Sequence, residues 1–189
     1  MLVIVAIVAI VSALLTVGIS EGRKVAFRST CLQNLYQLGV ATKLYTADAD
    51  GYLPPYGFVR LEDYDADRAA WKRALNKYGA KDGQFFCPAD PHARTAFVGN
   101  WHDFRDTSYT LALSMTFPAE RKSGVFRVSV DTFSRPSEQI LYHDQEWKQP
   151  GIDGFGVPLM TGHGDVLNAV YLDGHVATQR IPRLARRTD

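Results

Sequence analysis

The chain opens with an apolar stretch in which no residue from Met1 to Ile19 carries a charge. As one α-helix this stretch would be roughly 28 Å long, close to the ~30 Å hydrocarbon thickness of a bilayer. A helix satisfies its own backbone hydrogen bonds, which lipid cannot do for it. We therefore expect residues 1–19 to form a helix that can span a membrane. A removed secretory signal and a buried core helix are the alternatives.

The helix is predicted to continue past this stretch, from Met1 to about Ala47. The chain has no Pro before Pro54, and its apolar residues recur every three or four positions, which is the spacing of one helix face. These residues are Val25, Leu32, Leu35, Leu38 and Tyr45. The Asp-Ala-Asp-Gly run at 48–51 then ends the helix.

This interpretation divides the chain into two parts. Residues 1–19 form the half of the helix that lies in a membrane or in the core of a filament. Residues 20–189 form a globular head, which includes the C-terminal half of the helix at about 20–47.

The remainder of the head predicts one more helix and several short strands. The helix covers Ala66–Tyr78, with Gly79 as its stop. Turn signals separate strands predicted at Tyr109–Met115, Val125–Val130, Gln139–Tyr142, Val166–Leu172 and His175–Ile181. Between the last two strands, Asp173-Gly174 predicts a two-residue type I′ hairpin turn. Helices combined with an antiparallel sheet give an α+β fold class.

Charge and composition exclude some classes of protein. The formal net charge is +1, whereas a general nucleic-acid binder needs a strong basic excess. We therefore expect no nucleic-acid partner. The apolar fraction of 46% is typical of a chain that folds around a core rather than of a disordered one.

The two cysteines, Cys31 and Cys87, are too few for a disulfide-rich scaffold. Neither lies in a Cys-x-x-Cys motif or at a spacing typical of a zinc site. The sequence leaves two alternatives open, which are a single disulfide between them or two buried free thiols.

Several histidines have acidic neighbours in the second half of the chain. His and Asp side chains can bind a divalent metal ion or form an acid–base pair. The residues that could form a metal site are Asp144, His163, Asp165 and Asp173. The alternative is that His163 and Asp173 hydrogen-bond to loop and hairpin backbone, as buried polar side chains usually do.

No motif for nucleophilic or phosphate chemistry occurs in the sequence. It has no Gly-x-Ser-x-Gly elbow, no P-loop and no His-Glu-x-x-His. We assign no catalytic residue and no cofactor-binding residue, and we expect a protein that is not an enzyme.

Four segments together resemble a known group of proteins. In chain order they are the run LVIVAIVAIVSALL, the segment CLQNLYQLGVATKLYTADADGYLPP, the segment FFCPAD, and GHGDVLNAVYLDGHV. They resemble the prepilin-type proteins with a C-terminal His-x9-Asp-Gly motif, a bacterial family related to the type II secretion pseudopilins. The positions that match the family motifs are Cys31, Asn34, Leu35, Asp50, Gly51, Cys87, Pro88, His163, Asp173 and Gly174.

The resemblance implies a pilin-like fold, in which a long N-terminal helix packs on a small antiparallel sheet. It implies a prepilin that a prepilin peptidase cleaves and N-methylates. Inner-membrane assembly machinery would then pack its N-terminal helix against those of identical or related subunits. The subunit would cross the inner membrane once, with its head in the periplasm or on an extracellular filament. Related pseudopilins carry calcium in a C-terminal loop, which implies Asp144, Asp165 and Asp173 as calcium ligands if any metal is bound.

The chain departs from the family at one place. The Gly-Phe-Thr-Leu-x-Glu processing site that precedes the apolar run in the family has no counterpart here. Arg23, Lys24 and Arg28 follow the apolar run, which by the positive-inside rule would place the head in the cytoplasm. A basic leader upstream would remove both difficulties, and we therefore expect the true start to lie upstream of Met1.

Three functions are compatible with the sequence. The first is a structural subunit, a pseudopilin or minor pilin, of a type II secretion or type IV pilus-like filament. The second is a membrane-anchored extracytoplasmic binding module that does not polymerise. The third is a secreted metal-dependent enzyme. We expect the first.

Overall fold

A computed structural model describes residues 2–54, 56–58, 71–90, 107–112, 124–126, 128–144, 147–148, 159–160, 162–164 and 166–180. Within these ranges one long helix packs on antiparallel strands, so the α+β class is confirmed.

Helix α1 runs without a break over Leu2–Asp48. Its 47 residues make it about 70 Å long. The chain leaves the helix at Asp50, whose φ of 51° lies in the left-handed region. The Gly51 N–H then donates to the Thr46 carbonyl at 2.9 Å. This six-to-one bond is typical of the Schellman motif, which satisfies a carbonyl that the helix end leaves without a partner.

The two halves of α1 have different surroundings. Large apolar side chains near the N-terminus are exposed, including Val3 at 72% and Ile10 at 61%. In the second half the residues Cys31, Leu35 and Leu38 are fully buried, because they share the face that packs on the sheet. A search of the described residues finds no helix that qualifies as a membrane span.

The described residues contain strands β1 (Tyr56–Phe58), β2 (Tyr109–Leu111), β3 (Gly124–Phe126), β4 (Ile140–Asp144), β5 (Trp147–Lys148), β6 (Leu159–Met160), β7 (Val166–Tyr171) and β8 (Val176–Arg180). Four of them form the main antiparallel sheet in the order β2-β4-β7-β8. Two smaller pairs are β1 with β3 and β5 with β6. Helix α1 crosses the main sheet, with contacts to β7, β4 and β8.

The predicted strands differ from the observed ones in several places. β1, β5 and β6 were not predicted, because runs of two or three residues are too short to show the alternation that marks a strand. The predicted strand Val125–Val130 is wrong at its end, where Val130–Thr132 forms a 3₁₀ turn. Of the predicted helix Ala66–Tyr78, residues 71–76 are helical, and 66–70 lie outside the described residues.

The hairpin between β7 and β8 has a different turn from the one predicted. Tyr171 accepts a hydrogen bond from the Gly174 N–H at 2.8 Å, and the Tyr171 N–H donates to the His175 carbonyl at 2.9 Å. Gly174 has φ of 93°, whereas Asp173 is not among the residues with positive φ, which excludes a type I′ turn centred on Asp173-Gly174. The loop is therefore a three-residue hairpin turn, in which Gly174 forms the left-handed bulge.

Candidate functional site

A disulfide joins α1 to the middle of the chain. Cys31 lies on the buried face of α1, and Cys87 follows the 3₁₀ turn Asp82–Phe85. Their Cα atoms are 5.0 Å apart, and both residues are buried. Of the two alternatives that the sequence left open, the structure has the disulfide.

Hydrogen bonds hold both sides of this disulfide. The Asn34 side-chain amide, one helical turn after Cys31, donates to the Phe86 carbonyl at 2.9 Å. The Tyr109 hydroxyl on β2 donates to the Cys31 carbonyl at 3.4 Å. The bond is therefore fixed between α1, β2 and the segment before Pro88.

His163 lies directly against the disulfide. Its Nε2 atom is 3.2 Å from Cys87 Sγ. Because a disulfide sulfur carries no hydrogen, the imidazole N–H is the donor in this contact. Burial lowers the pKa of His163, and the positive charge of Arg28 lowers it further. The imidazole is therefore neutral at pH 7.

Asp144, the last residue of β4, approaches the same imidazole. Its Oδ2 atom is 4.0 Å from His163 Nε2, and the side chain of each residue is only 4% exposed. Oδ2 also accepts a hydrogen bond from the Asn168 backbone N–H at 2.9 Å. Within the described residues, Oδ1 has no hydrogen-bond partner.

The environment of Asp144 changes its acidity. Burial raises its pKa to about 7, although the hydrogen bond from the Asn168 N–H and the charge of Arg28 act in the opposite direction. The protonated carboxyl is therefore favoured much closer to neutral pH than in an exposed aspartate. Since His163 is neutral at pH 7, the two side chains do not form a full ion pair.

Gly162 sets the position of His163 beside the Cys87 segment. A Cβ atom at Gly162 would lie 2.5 Å from the carbonyl oxygen of Ala89, which is closer than any side chain tolerates. Only glycine lets these two backbones approach so closely. The close approach brings the residue after Gly162 next to the disulfide.

A groove of about 600 Å³ opens at the surface beside this cluster and reaches His163. One side is formed by the α1 residues between Glu21 and Arg28, and the other by Pro88, Ala89, Gly162 and His163. Cations from α1, Lys24 and Arg28, line the same groove as the imidazole. The cluster of Cys31, Cys87, His163 and Asp144 is therefore the candidate functional site.

The four residues predicted as a metal site are not all together. The structure places Asp144 beside His163. Asp173 lies on the β7–β8 turn, where its Oδ1 is 2.6 Å from the ring nitrogen Nδ1 of His175. Asp165 lies outside the described residues.

A different set of ligand atoms is grouped in the structure. Among the described residues, the side chains of Cys31, Cys87 and His163 are the ones whose possible metal-ligand atoms lie within 4.8 Å of one another. Sequence reasoning missed this association. The cysteines are 56 residues apart, and His163 is 76 residues from Cys87, so no local motif marks the group.

The other positions that match the family motifs lie in the core or at the ends of helices and strands. Leu35 is buried in the core between α1 and the sheet. Asp50 and Gly51 form the end of α1, and Gly174 forms the hairpin bulge. These positions fix the ends and the packing of elements rather than lining the site.

No family model matches the chain, and neither a curated protein nor a solved structure is significantly similar to it.

Proposed function

We propose that this chain is a pilin-like structural subunit, a pseudopilin or minor pilin, of a type II secretion or type IV pilus-like filament. The observation that supports it is the division of one continuous helix into two halves. The first half of α1 is apolar and exposed, and the second half is buried against the sheet. The second half of such a helix packs into the globular head, and the first half is able to associate with other helices.

The exposed apolar half gives the energetic reason for assembly. The exposed large side chains there are Val3, Ile4, Val5, Ile7, Val8, Ile10 and Val11. Complete burial of one Val or Ile side chain is worth about 1.5–3 kcal/mol. Because these residues lie on several faces of the helix, a surrounding layer of identical or related helices would bury them better than one partner would.

The proposal includes a location and partners. Before assembly the first half of α1 would cross the inner membrane once, with the head in the periplasm, and inner-membrane assembly machinery would move it into the filament. A prepilin peptidase would process the chain if the true start lies upstream. The Cys31–Cys87 disulfide supports a head outside the cytoplasm, since disulfides persist mainly in oxidising compartments.

A photo-crosslinking experiment tests this function. A photoreactive amino acid would replace Val8, in the exposed half of α1, or Lys77, which is exposed on the head. In cells with the assembly machinery, Val8 should give ladders of crosslinked copies or crosslinks to related subunits. The matched probe at Lys77 should not give such ladders.

A charged substitution in the apolar half of α1 is the second part of the crosslinking experiment. Val8→Arg should abolish the ladders from a probe at Ile10, because a desolvated arginine opposes burial of the helix. Mass analysis of the mature N-terminus should find an N-methylated residue. A chain that crosslinks only to lipid or to unrelated proteins, with an unmethylated N-terminus, would instead be a membrane-anchored binding module that does not polymerise, and the proposal would be wrong.

A further inference from the structure

We propose that the head holds a redox-gated metal site, in which Cys31 and Cys87, once reduced, bind one zinc-like divalent ion together with His163. The site is independent of the filament role proposed above. It rests on the grouping of three side chains that the fold brings together from α1, from the Cys-Pro segment and from the Gly162–Gly164 turn.

The geometry is close to that of a zinc site. Tetrahedral zinc with Zn–S of about 2.3 Å and Zn–N of about 2.0–2.1 Å places neighbouring S and N ligand atoms about 3.6 Å apart. The distance from Cys87 Sγ to His163 Nε2 is 3.2 Å, and all three ligand atoms lie within 4.8 Å of one another. After reduction the two sulfurs can separate to the about 3.8 Å that two thiolates on one zinc ion require.

Charges of both signs surround the three side chains: the Asp144 carboxyl favours a bound cation, whereas Arg28, in the same groove as His163, opposes it. Metal binding through Nε2 needs a neutral imidazole with its proton on Nδ1, so the proton that Nε2 donates to Cys87 Sγ in the oxidised chain must move to Nδ1. Asp144 Oδ2 lies 4.0 Å from the imidazole nitrogen, and its Oδ1 has no partner in the described part of the chain. This buried carboxyl lies outside the group of three ligand atoms, and a nearby dication would favour its ionised form.

The disulfide determines whether the site exists. A dithiol transfers two electrons to the Cys31–Cys87 bond and becomes a disulfide itself, while the two sulfurs become thiols. Zinc then displaces one proton from each thiol, so two protons are released per ion bound. In the oxidised protein the sulfurs are bonded to each other and are poor ligands, and the imidazole alone does not hold the ion.

Cobalt(II) titration of the full chain in detergent tests the proposal, since cobalt reports thiolate ligands by a charge-transfer absorption band. The chain would be reduced with a phosphine, which takes oxygen from water as it becomes a phosphine oxide, and the phosphine would be removed without air. The reduced chain should bind one equivalent of cobalt with this band. The oxidised chain should bind none.

Matched histidine variants identify the third ligand. His163→Ala should weaken cobalt binding by more than about 100-fold, since loss even of an outer-shell partner of a metal ligand costs about 10–100-fold. His175→Ala, which removes an exposed imidazole, should bind as the parent does. His163→Gln, which is closer in size, should behave as His163→Ala does if the loss comes from ligation rather than from misfolding.

Three results would overturn the site. The first is a reduced chain with native helical circular dichroism that gives no charge-transfer band. The second is equal cobalt affinity in the parent and in a folded His163 variant. The third is a reduced chain that unfolds and does not regain its helical signal when zinc is added.

Discussion

The hydroxyl groups of Thr42 on α1 and Tyr142 on β4 lie 2.8 Å apart in the buried core. The Trp71 indole N–H donates to the same tyrosine oxygen at 3.1 Å. The Thr42 hydroxyl in turn donates to the Leu38 carbonyl at 2.8 Å, so Tyr142 must donate to Thr42. One chain of hydrogen bonds therefore joins the 71–76 helix, the sheet and α1.

Removal of the tyrosine hydroxyl should break this chain. Tyr142→Phe would remove two buried hydrogen bonds, the one from the Trp71 indole N–H and the one to Thr42. We expect the free energy of unfolding to fall by about 1–3 kcal/mol, since each such bond contributes about 0.5–1.5 kcal/mol. Urea unfolding of the oxidised chain, followed by tryptophan fluorescence, measures the change.

Tyr36→Phe is the matched control, because Tyr36 is 48% exposed. Its substitution should change the free energy of unfolding by less than about 0.5 kcal/mol. Equal effects of the two variants would mean that the buried network does not contribute to stability.

Loss of the disulfide should be among the largest single effects on stability. The bond closes a loop with a sequence separation of 56 residues, which in the chain-entropy treatment is worth roughly 4 kcal/mol. Cys31→Ala with Cys87→Ala should lower the urea midpoint in metal-free buffer. A reductant should lower the midpoint of the parent by a similar amount and leave the double variant unchanged. A reductant effect on the double variant would contradict this explanation.

The raised pKa of Asp144 predicts a dependence of stability on pH. Because burial raises this pKa to about 7, the folded chain keeps a proton that the unfolded chain loses above its ordinary pKa of about 3.9. The free energy of unfolding contributed by this group should therefore fall as pH rises from about 4 to about 7, by up to about 1.4 kcal/mol per pH unit. Above pH 7 the contribution is constant.

Asp144→Asn isolates this contribution. The amide cannot ionise, so the variant should lose the downward slope between pH 4 and 7. His163 acts in the opposite direction, since its lowered pKa makes protonation favour the unfolded chain below pH ~6.5. Because His163 lies 4.0 Å from Asp144, its titration also changes in the variant, and the slope is therefore compared above pH ~6.5, where the imidazole is neutral in both chains. Asp82→Asn, at an exposed carboxyl, is the control, and an identical slope in parent and Asp144→Asn would refute the prediction.

The close approach of Gly162 to Ala89 predicts that a side chain at position 162 destabilises the fold. Gly162→Ala would force Cβ against the Ala89 carbonyl oxygen, at 2.5 Å in the present backbone. We expect destabilisation by about 1–3 kcal/mol, as for other overpacked sites. The cobalt site proposed above should weaken as well, because His163 would move from the disulfide.

Gly83→Ala is the control for this substitution. A Cβ at Gly83 would meet no atom within 4 Å, and its φ is not positive. The change should be neutral or stabilising by up to about 1 kcal/mol. A Gly162 variant as stable as the Gly83 variant would show that the backbones separate at little cost.

Helices and strands could be predicted where the sequence pattern extends over many consecutive residues. The absence of Pro and the regular apolar spacing predicted α1, which the structure confirms over Leu2–Asp48. The strands around Tyr142 and Val170 were predicted from their apolar runs and end within a few residues of the observed bounds. The hairpin was found, but its turn was not, because Asp-Gly fits both a two-residue turn and the bulge of a three-residue one.

The candidate site could not be predicted because it depends on tertiary contacts. The contact of His163 with Cys87 requires the Gly162 turn to pack on Ala89, and no pattern in either segment encodes that packing. The predicted metal site combined Asp173 with His163, whereas in the structure Asp173 contacts His175, its near neighbour in the sequence. The contact of His163 with Cys87 spans 76 residues, and no local pattern predicts it.

The place of the disulfide on α1 has a mechanical consequence. Tension on the exposed N-terminal part of the helix enters the head at Cys31, the first fully buried residue of its packed face. Contacts such as those of Leu35 and Leu38 could slip one after another under axial load. The covalent bond to Cys87 prevents this sliding, so the helix cannot be drawn out of the head lengthwise unless that bond is reduced.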